Sequence, residues 1–372
     1  MAFNPAAFER ILIRATNWLG DAVMSLPAIR VIRQVCPRAE IALAARPSVA
    51  GLYTRESSVN RVIPCPASES LARRRAFAAT LRNEHFDTAF LLPNSFDAAL
   101  TAWLARIPER IGYARDGRRW LLTRPIPRPE PGDIPRHERF YYLELLRRAG
   151  LIEQFPDSAA IRLEGIPAAR EAGLAHLRSL GVEGPAIGVS PGAAYGNAKR
   201  WPPERFAEAA RSVAAALGAS VLVFGSAAER ELCETVAAGL RAASIDARNL
   251  AGATSLAEFF DLAAACRLYL TNDSGAMHAA SALGVPTVAI FGATDDVTTG
   301  PTGPLARVVR EHVECSPCLL RNCPIDHRCM TRVTVERVSS AAPGRRERED
   351  RAAERSSARE AKSSHGAHCT RV

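Results

Sequence analysis

Ile11-Leu12-Ile13, running into Arg14-Ala15-Thr16-Asn17-Trp18-Leu19-Gly20-Asp21, and Ala186-Ile187-Gly188-Val189-Ser190, running into Pro191-Gly192, decide the fold between them. Each is a short apolar run that turns sharply into a helical pattern, as expected of a parallel strand buried on both faces. Outward from the first run, Val23, Leu26, Ile29, Val31 and Ile32 predict one helix with a buried side. Ile41-Ala42-Leu43, Thr88-Ala89-Phe90-Leu91-Leu92 and Arg110-Ile111-Gly112-Tyr113 predict further strands. Five prolines between Thr123 and Pro135 break regular structure, and residues 137–150 read as an amphipathic helix closed by a glycine. Outward from the second run, strands are predicted at 220–224, 268–271 and 287–291. Strand and helix alternate, so the fold class is α/β, with two Rossmann-like doubly wound units facing a cleft. Residues 1–160 form the first unit and 161–338 the second. Residues 339–372 contain no Leu, Ile, Phe, Tyr, Trp or Met and are expected to be disordered, because they have no core to bury.

The chain has 372 residues, 47% hydrophobic and 23% charged, which excludes wholesale disorder. No run of 18 apolar residues exists, so no transmembrane segment is expected. Glu9 and Arg10 precede any apolar run, so no signal peptide is expected and the chain is placed in the cytoplasm. Charge is uneven. Residues 1–150 hold 23 Arg against 14 acids, a balance of +9, whereas residues 151–338 hold 17 basic groups against 20 acids. A basic first half points to an anionic partner, with scattered solvated arginines as the plainer alternative. Lysine occurs only at Lys199 and Lys362 among 48 basic residues, so a lysine in a glycine-bearing loop stands out.

The turn after the first strand has one glycine, not the three of a dinucleotide fingerprint, which counts against a nicotinamide enzyme. Asp21 is either a plain helix N-cap or a carboxylate held at the cleft as a general base. Thr16, Asn17 and Trp18 precede it as candidates for contact with an acceptor. After the second run, Ala193-Ala194-Tyr195-Gly196-Asn197-Ala198-Lys199-Arg200-Trp201 combines small residues with cationic charge, a pattern that lets backbone N–H groups approach phosphate. Glu229, after Phe224-Gly225-Ser226, either accepts from a ribose hydroxyl or merely favours a helix dipole. Asn272-Asp273-Ser274-Gly275-Ala276-Met277-His278 is a strand end turning into a helix start. It is too compact for a Ser-His-Asp relay and fits anion binding, with His278 otherwise a core histidine. Cys315, Cys318, Cys323 and Cys329 offer a structural zinc site, with His312 or His327 as alternative ligands, or a reduced metal-free loop.

In order and spacing these motifs resemble the glycosyltransferase family 9 heptosyltransferases over roughly residues 10–338, and most closely the branch that adds the second heptose. The resemblance implies a GT-B fold and inverting transfer of L-glycero-D-manno-heptose from ADP-heptose to the first heptose of the lipopolysaccharide inner core. It implies Asp21 as general base, Lys199 on the diphosphate and Glu229 on the ribose. Asp273, Ser274, Gly275 and His278 match the donor loop. Ala194 and Tyr195 stand where the family often has hydroxyl side chains, leaving backbone N–H groups as the phosphate contacts there. No catalytic cofactor is implied, and the partner is a lipopolysaccharide acceptor at the inner membrane surface. The first or third heptosyltransferase step is the alternative within the family. From other classes, a nucleotide-sugar epimerase lacks its glycines. A zinc-bearing nucleic-acid binder lacks interleaved aromatic and basic residues, so no nucleic-acid partner is expected.

Overall fold

The computed structural model describes residues 7–66 and 70–342. Two six-stranded sheets, all parallel in their pairings, carry the fold. The first contains β1 (Arg10–Arg14), β2 (Glu40–Ala45), β3 (Arg61–Pro64), β4 (Thr88–Leu91), β5 (Glu109–Tyr113) and β6 (Arg124–Ile126), ordered β3-β2-β1-β4-β5-β6. The second contains β7 (Ala186–Ser190), β8 (Ser220–Val223), β9 (Ala247–Asn249), β10 (Tyr269–Asn272), β11 (Thr287–Phe291) and β12 (Ala306–Arg310), ordered β12-β11-β10-β7-β8-β9. Each has the doubly wound order, so each has a switch point where crossovers diverge: between β1 and β4, and between β7 and β10.

Alternation within β1 sorts its side chains to two cores. Ile11 and Ile13 pack with Leu26 and Ile29, and Leu12 packs on the other face with Leu81 and Leu91. The first of these cores continues into the second half through Phe260 and Tyr269, so one apolar body joins the two sheets.

Every predicted strand is present. The edge strands β3, β6, β9 and β12 were not predicted. They are three to five residues long and rich in Arg, and β6 carries Pro125, which an edge tolerates because one side needs no ladder donor. The single helix predicted after β1 is two helices, Leu19–Met24 and Leu26–Val35, because Pro27 opens a new first turn after Ser25. The predicted helix at 137–150 is observed as Arg139–Arg148, with Gly150 at φ 85° beyond it. At the other end, Val335–Ser340 is helical, and Ala341 and Ala342 pack against the second core. The first four residues of the expected tail are therefore structured; the rest of it, 343–372, lies outside the described residues.

Candidate active site

Both switch points are polar. At the first, Asp21 follows β1, and Asn94 and Ser95 follow β4. With Thr16, Asn17 and Trp18 they line a cavity of about 340 Å³. Asp21 is not an N-cap. Trp18 holds that position, and Asp21 stands third in the helix. The Asp21 carboxylate accepts no hydrogen bond among the described residues. Burial raises its pKa, and the nearby charge of Lys199 lowers it. Thr16 Oγ1 is buried against the same cavity without a partner among the described residues. Arg14 donates to Asn17 Oδ1 at 2.8 Å and so fixes that side chain.

The polar and aromatic cavity residues Asn94, Ser95, Arg115, Glu138, Tyr141 and Tyr142 escaped the sequence reading. Their signals were scattered single polar residues with no motif. Burial raises the Glu138 pKa, and the Asp21 charge adds to that rise, so two carboxyl groups share one cavity. Asn94 Nδ2 donates to Tyr141 Oη at 2.8 Å. Behind them the buried Arg118 guanidinium donates to the carbonyls of Pro93, Ser95 and Tyr113, which locks the loop after β4. The segment before the helix Arg139–Arg148 also bridges to the second half. Arg136 pairs with Asp295 at 2.7 Å, and Glu138 N donates to Thr298 O at 2.9 Å.

At the second switch point, Lys199 Nζ donates to Asp273 Oδ2 at 2.6 Å, and Thr294 Oγ1 donates to the same oxygen at 2.6 Å. Asn272 Nδ2 donates to Pro191 O at 2.7 Å, and its Oδ1 accepts from Trp201 N at 3.0 Å, so one amide holds both ends of the Lys199 loop. Ser274 caps the helix Gly275–Ala282, accepting from Met277 N at 3.4 Å. Glu229 closes a capping box with Ser226, and its Oε1 lies so near Gly192 that a Cβ there would approach to 2.1 Å. His278 is buried and held down to about 4. Ala194 and Tyr195 are exposed. The Tyr195 ring lies beneath the Lys199 ammonium at 5.0 Å, and its hydroxyl donates to Leu319 O at 2.8 Å.

The two switch points meet. The helices starting at Leu19 and Gly275 cross through their glycines, where a Cβ on Gly20 would stand 3.0 Å from His278 Cδ2 and one on Gly275 2.8 Å from Leu19 Cβ. This close approach brings Asp21 within electrostatic reach of Lys199.

The zinc expectation finds no support in this arrangement. Among the described residues, no group of three or more His, Cys, Asp or Glu is placed to hold a metal ion. Cys329 is buried in the second core, its Sγ close to Gly292, and burial with the neighbouring Cys315, Cys318 and Cys323 pushes its thiol up to about 11. The cysteine segment instead braces the Lys199 loop. Arg321 O accepts from Ala198 N at 3.0 Å, and His327 Nε2 lies 3.0 Å from Ala198 O.

A family model described as glycosyltransferase family 9 (heptosyltransferase) matches residues 74–328. The chain belongs to this glycosyltransferase family. It is 34% identical over 308 residues to the lipopolysaccharide heptosyltransferase 2 of Salmonella typhimurium and, equally, to that of Escherichia coli, covering 81% of this chain and 88% of each relative. The solved E. coli ADP-heptose lps heptosyltransferase II superposes with a TM-score of 0.76 at 31% identity, covering 89% of this chain and 97% of that one. The fold of this family 9 enzyme is accordingly GT-B, with its two Rossmann-like sheets as the two facing layers of the cleft. Among its described residues no helix is long and apolar enough to cross a membrane.

Proposed function

We propose that this enzyme transfers L-glycero-D-manno-heptose from ADP-heptose, with inversion, to the first heptose of the lipopolysaccharide inner core. Residues 1–160 bind the acceptor and 161–338 the donor. The observation that carries the reading is that Asp21, a carboxylate that accepts no hydrogen bond among the described residues, lies within electrostatic reach of Lys199, a cation already held in place by Asp273. The names of the relatives, lipopolysaccharide heptosyltransferase 2 and ADP-heptose lps heptosyltransferase II, support the donor and the transferred sugar.

Asp21 removes the proton from the acceptor hydroxyl as its oxygen attacks the anomeric carbon, and the bond to ADP breaks on the opposite face. Charge growing on the departing diphosphate is met by Lys199 and by backbone N–H groups around Ala194 and Tyr195. An ammonium has three donors, so Lys199 keeps Asp273 and still reaches phosphate. Asp273 positions the lysine. Ser274, Gly275 and His278 shape the donor loop, and Glu229, with Oε1 facing Gly192, takes the ribose. Thr16, Asn17 and Trp18 contact the acceptor. No metal enters the chemistry, so transfer is indifferent to EDTA. The enzyme works in the cytoplasm, at the inner face of the inner membrane.

The test is ADP release with ADP-heptose and two acceptors, one ending in the first heptose and one lacking it. Turnover only with the first acceptor is expected. Turnover with the heptose-free acceptor assigns the first step instead, and no ADP release with either overturns the reading.

A further inference from the structure

Phe96 and Trp103 stand seven residues apart on the helix Phe96–Leu104, two turns along one face. Trp120, on the short turn Arg119–Leu121, lies between them, with ring centroids 6.0 Å from Phe96 and 6.4 Å from Trp103. All three are solvent-facing, at 39%, 44% and 65% exposure. Single exposed apolar residues need no explanation, but three large rings gathered on one face leave an uncovered apolar patch. The rings meet at 56° and 70° rather than in a flat stack.

The patch adjoins the acceptor cavity at two places. Ser95 caps the helix that carries Phe96 and also lines the cavity. Arg115, on the cavity wall, begins the loop that ends at Trp120. Its surroundings are basic. Arg106, two residues past the end of the first helix, and Arg119, on the turn, are exposed, and Arg73 and Arg75 are exposed on the helix Leu71–Asn83 packed alongside. The acids here are already engaged, Asp97 with Arg74 and Asp116 with Arg115. Indole rings framed by arginines match the boundary of an anionic bilayer, where the rings sit at headgroup depth and the cations meet lipid phosphate.

We infer that Phe96, Trp103 and Trp120 dock this enzyme on an anionic phospholipid surface, holding the acceptor cavity against the layer in which a lipid-anchored acceptor sits. The inference rests on the acceptor reading above. Its test does not require transfer to occur.

The full chain is sedimented with vesicles of phosphatidylglycerol and phosphatidylethanolamine, and separately with phosphatidylcholine vesicles. Binding to the anionic vesicles alone is expected. The pair Trp103→Ala with Trp120→Ala should weaken partition by about tenfold or more, and Arg106→Glu with Arg119→Glu should do the same by a separate route. A melting temperature close to the parent's shows that each variant is folded. With a lipid-free oligosaccharide acceptor both variants should turn over as the parent does, and with a vesicle-embedded acceptor they should slow. Vesicle binding that neither variant weakens overturns the inference. So does equal loss on the lipid-free acceptor, which makes the patch a sugar subsite, and so does concentration-dependent dimerisation that the tryptophan variants abolish. If the parent binds vesicles but transfers no heptose, the acceptor reading fails while the docking face stands.

Discussion

The Lys199 ammonium and the Asp273 carboxylate form a 2.6 Å ion pair at the end of β10, with the carboxylate buried and also accepting from Thr294. A lysine so anchored meets a diphosphate in one orientation, without first losing the freedom of a long side chain.

Lys199→Ala should therefore weaken ADP binding by roughly ten- to hundredfold, the equivalent of about 1.5–3 kcal/mol for a hydrogen bond to a charged group. It also leaves Asp273 without its cation, so the melting temperature should fall. Lys199→Arg should recover stability more than affinity, because a planar fork does not reproduce the point charge. Titration calorimetry with ADP and a thermal melt check both. Unchanged ADP affinity in Lys199→Ala would remove the lysine from the donor site.

Asp21→Asn keeps size and polarity but accepts no proton. Turnover should drop by about 10²–10⁴-fold, with ADP affinity and melting temperature nearly intact. The raised pKa of Asp21 places the acid limb of the rate profile at higher pH than an unperturbed aspartate would give. Lys199 lowers that pKa, so the residual activity of Lys199→Ala should show the limb moved to still higher pH. A limb unmoved by that substitution separates the two groups electrostatically and contradicts the arrangement described here.

His278 is held down to about 4 chiefly by burial, with Asp273 raising it and His137 and Lys199 lowering it. Between that value and the ordinary 6.5 the unfolded chain carries a proton that the folded chain refuses. This contribution to stability is complete above pH 6.5 and is lost as pH falls towards 4, about 3 kcal/mol in all. His278→Gln removes that titration, so its unfolding free energy should fall less than the parent's between pH 7 and 4.5. Urea melts at the two pH values decide it, and identical losses would place the proton uptake elsewhere.

Gly196 lies where the Lys199 loop meets the cysteine segment, and a Cβ there would come within 2.1 Å of Arg321 O. A backbone carbonyl cannot swing aside as a side chain does, so Gly196→Ala should push the two segments apart. ADP affinity should fall, and because Trp201 at the end of the loop and Cys329 and Met330 in the facing segment belong to the second core, the melting temperature should fall with it. A variant with full ADP affinity would show that the brace is dispensable.

The sequence by itself determined the eight interior strands, the two turn motifs that carry Asp21 and Lys199, and the strand end at Asp273. Their information is local: apolar runs long enough for a strand, followed by small or polar residues that open a helix. The tertiary structure decided which of these groups meet. Lys199 and Asp273 are 74 residues apart in sequence and pair because β10 lies beside β7 in the sheet. Glu138 and Arg115 join Asp21 only because β1, β4 and β5 are neighbours and the helix after them folds back over the cavity. Edge strands such as β6 and β12 escaped the sequence for the converse reason. They are only partly buried, so their apolar stretches are short, Ile126 alone in β6 and Val308-Val309 between arginines in β12, too brief to stand out as strands without the neighbouring ladder. The cysteines show the same division. Their spacing is a ligand pattern, and only the tertiary structure shows that the fold buries Cys329 against Gly292 and uses the segment to brace the Lys199 loop through Arg321 and His327.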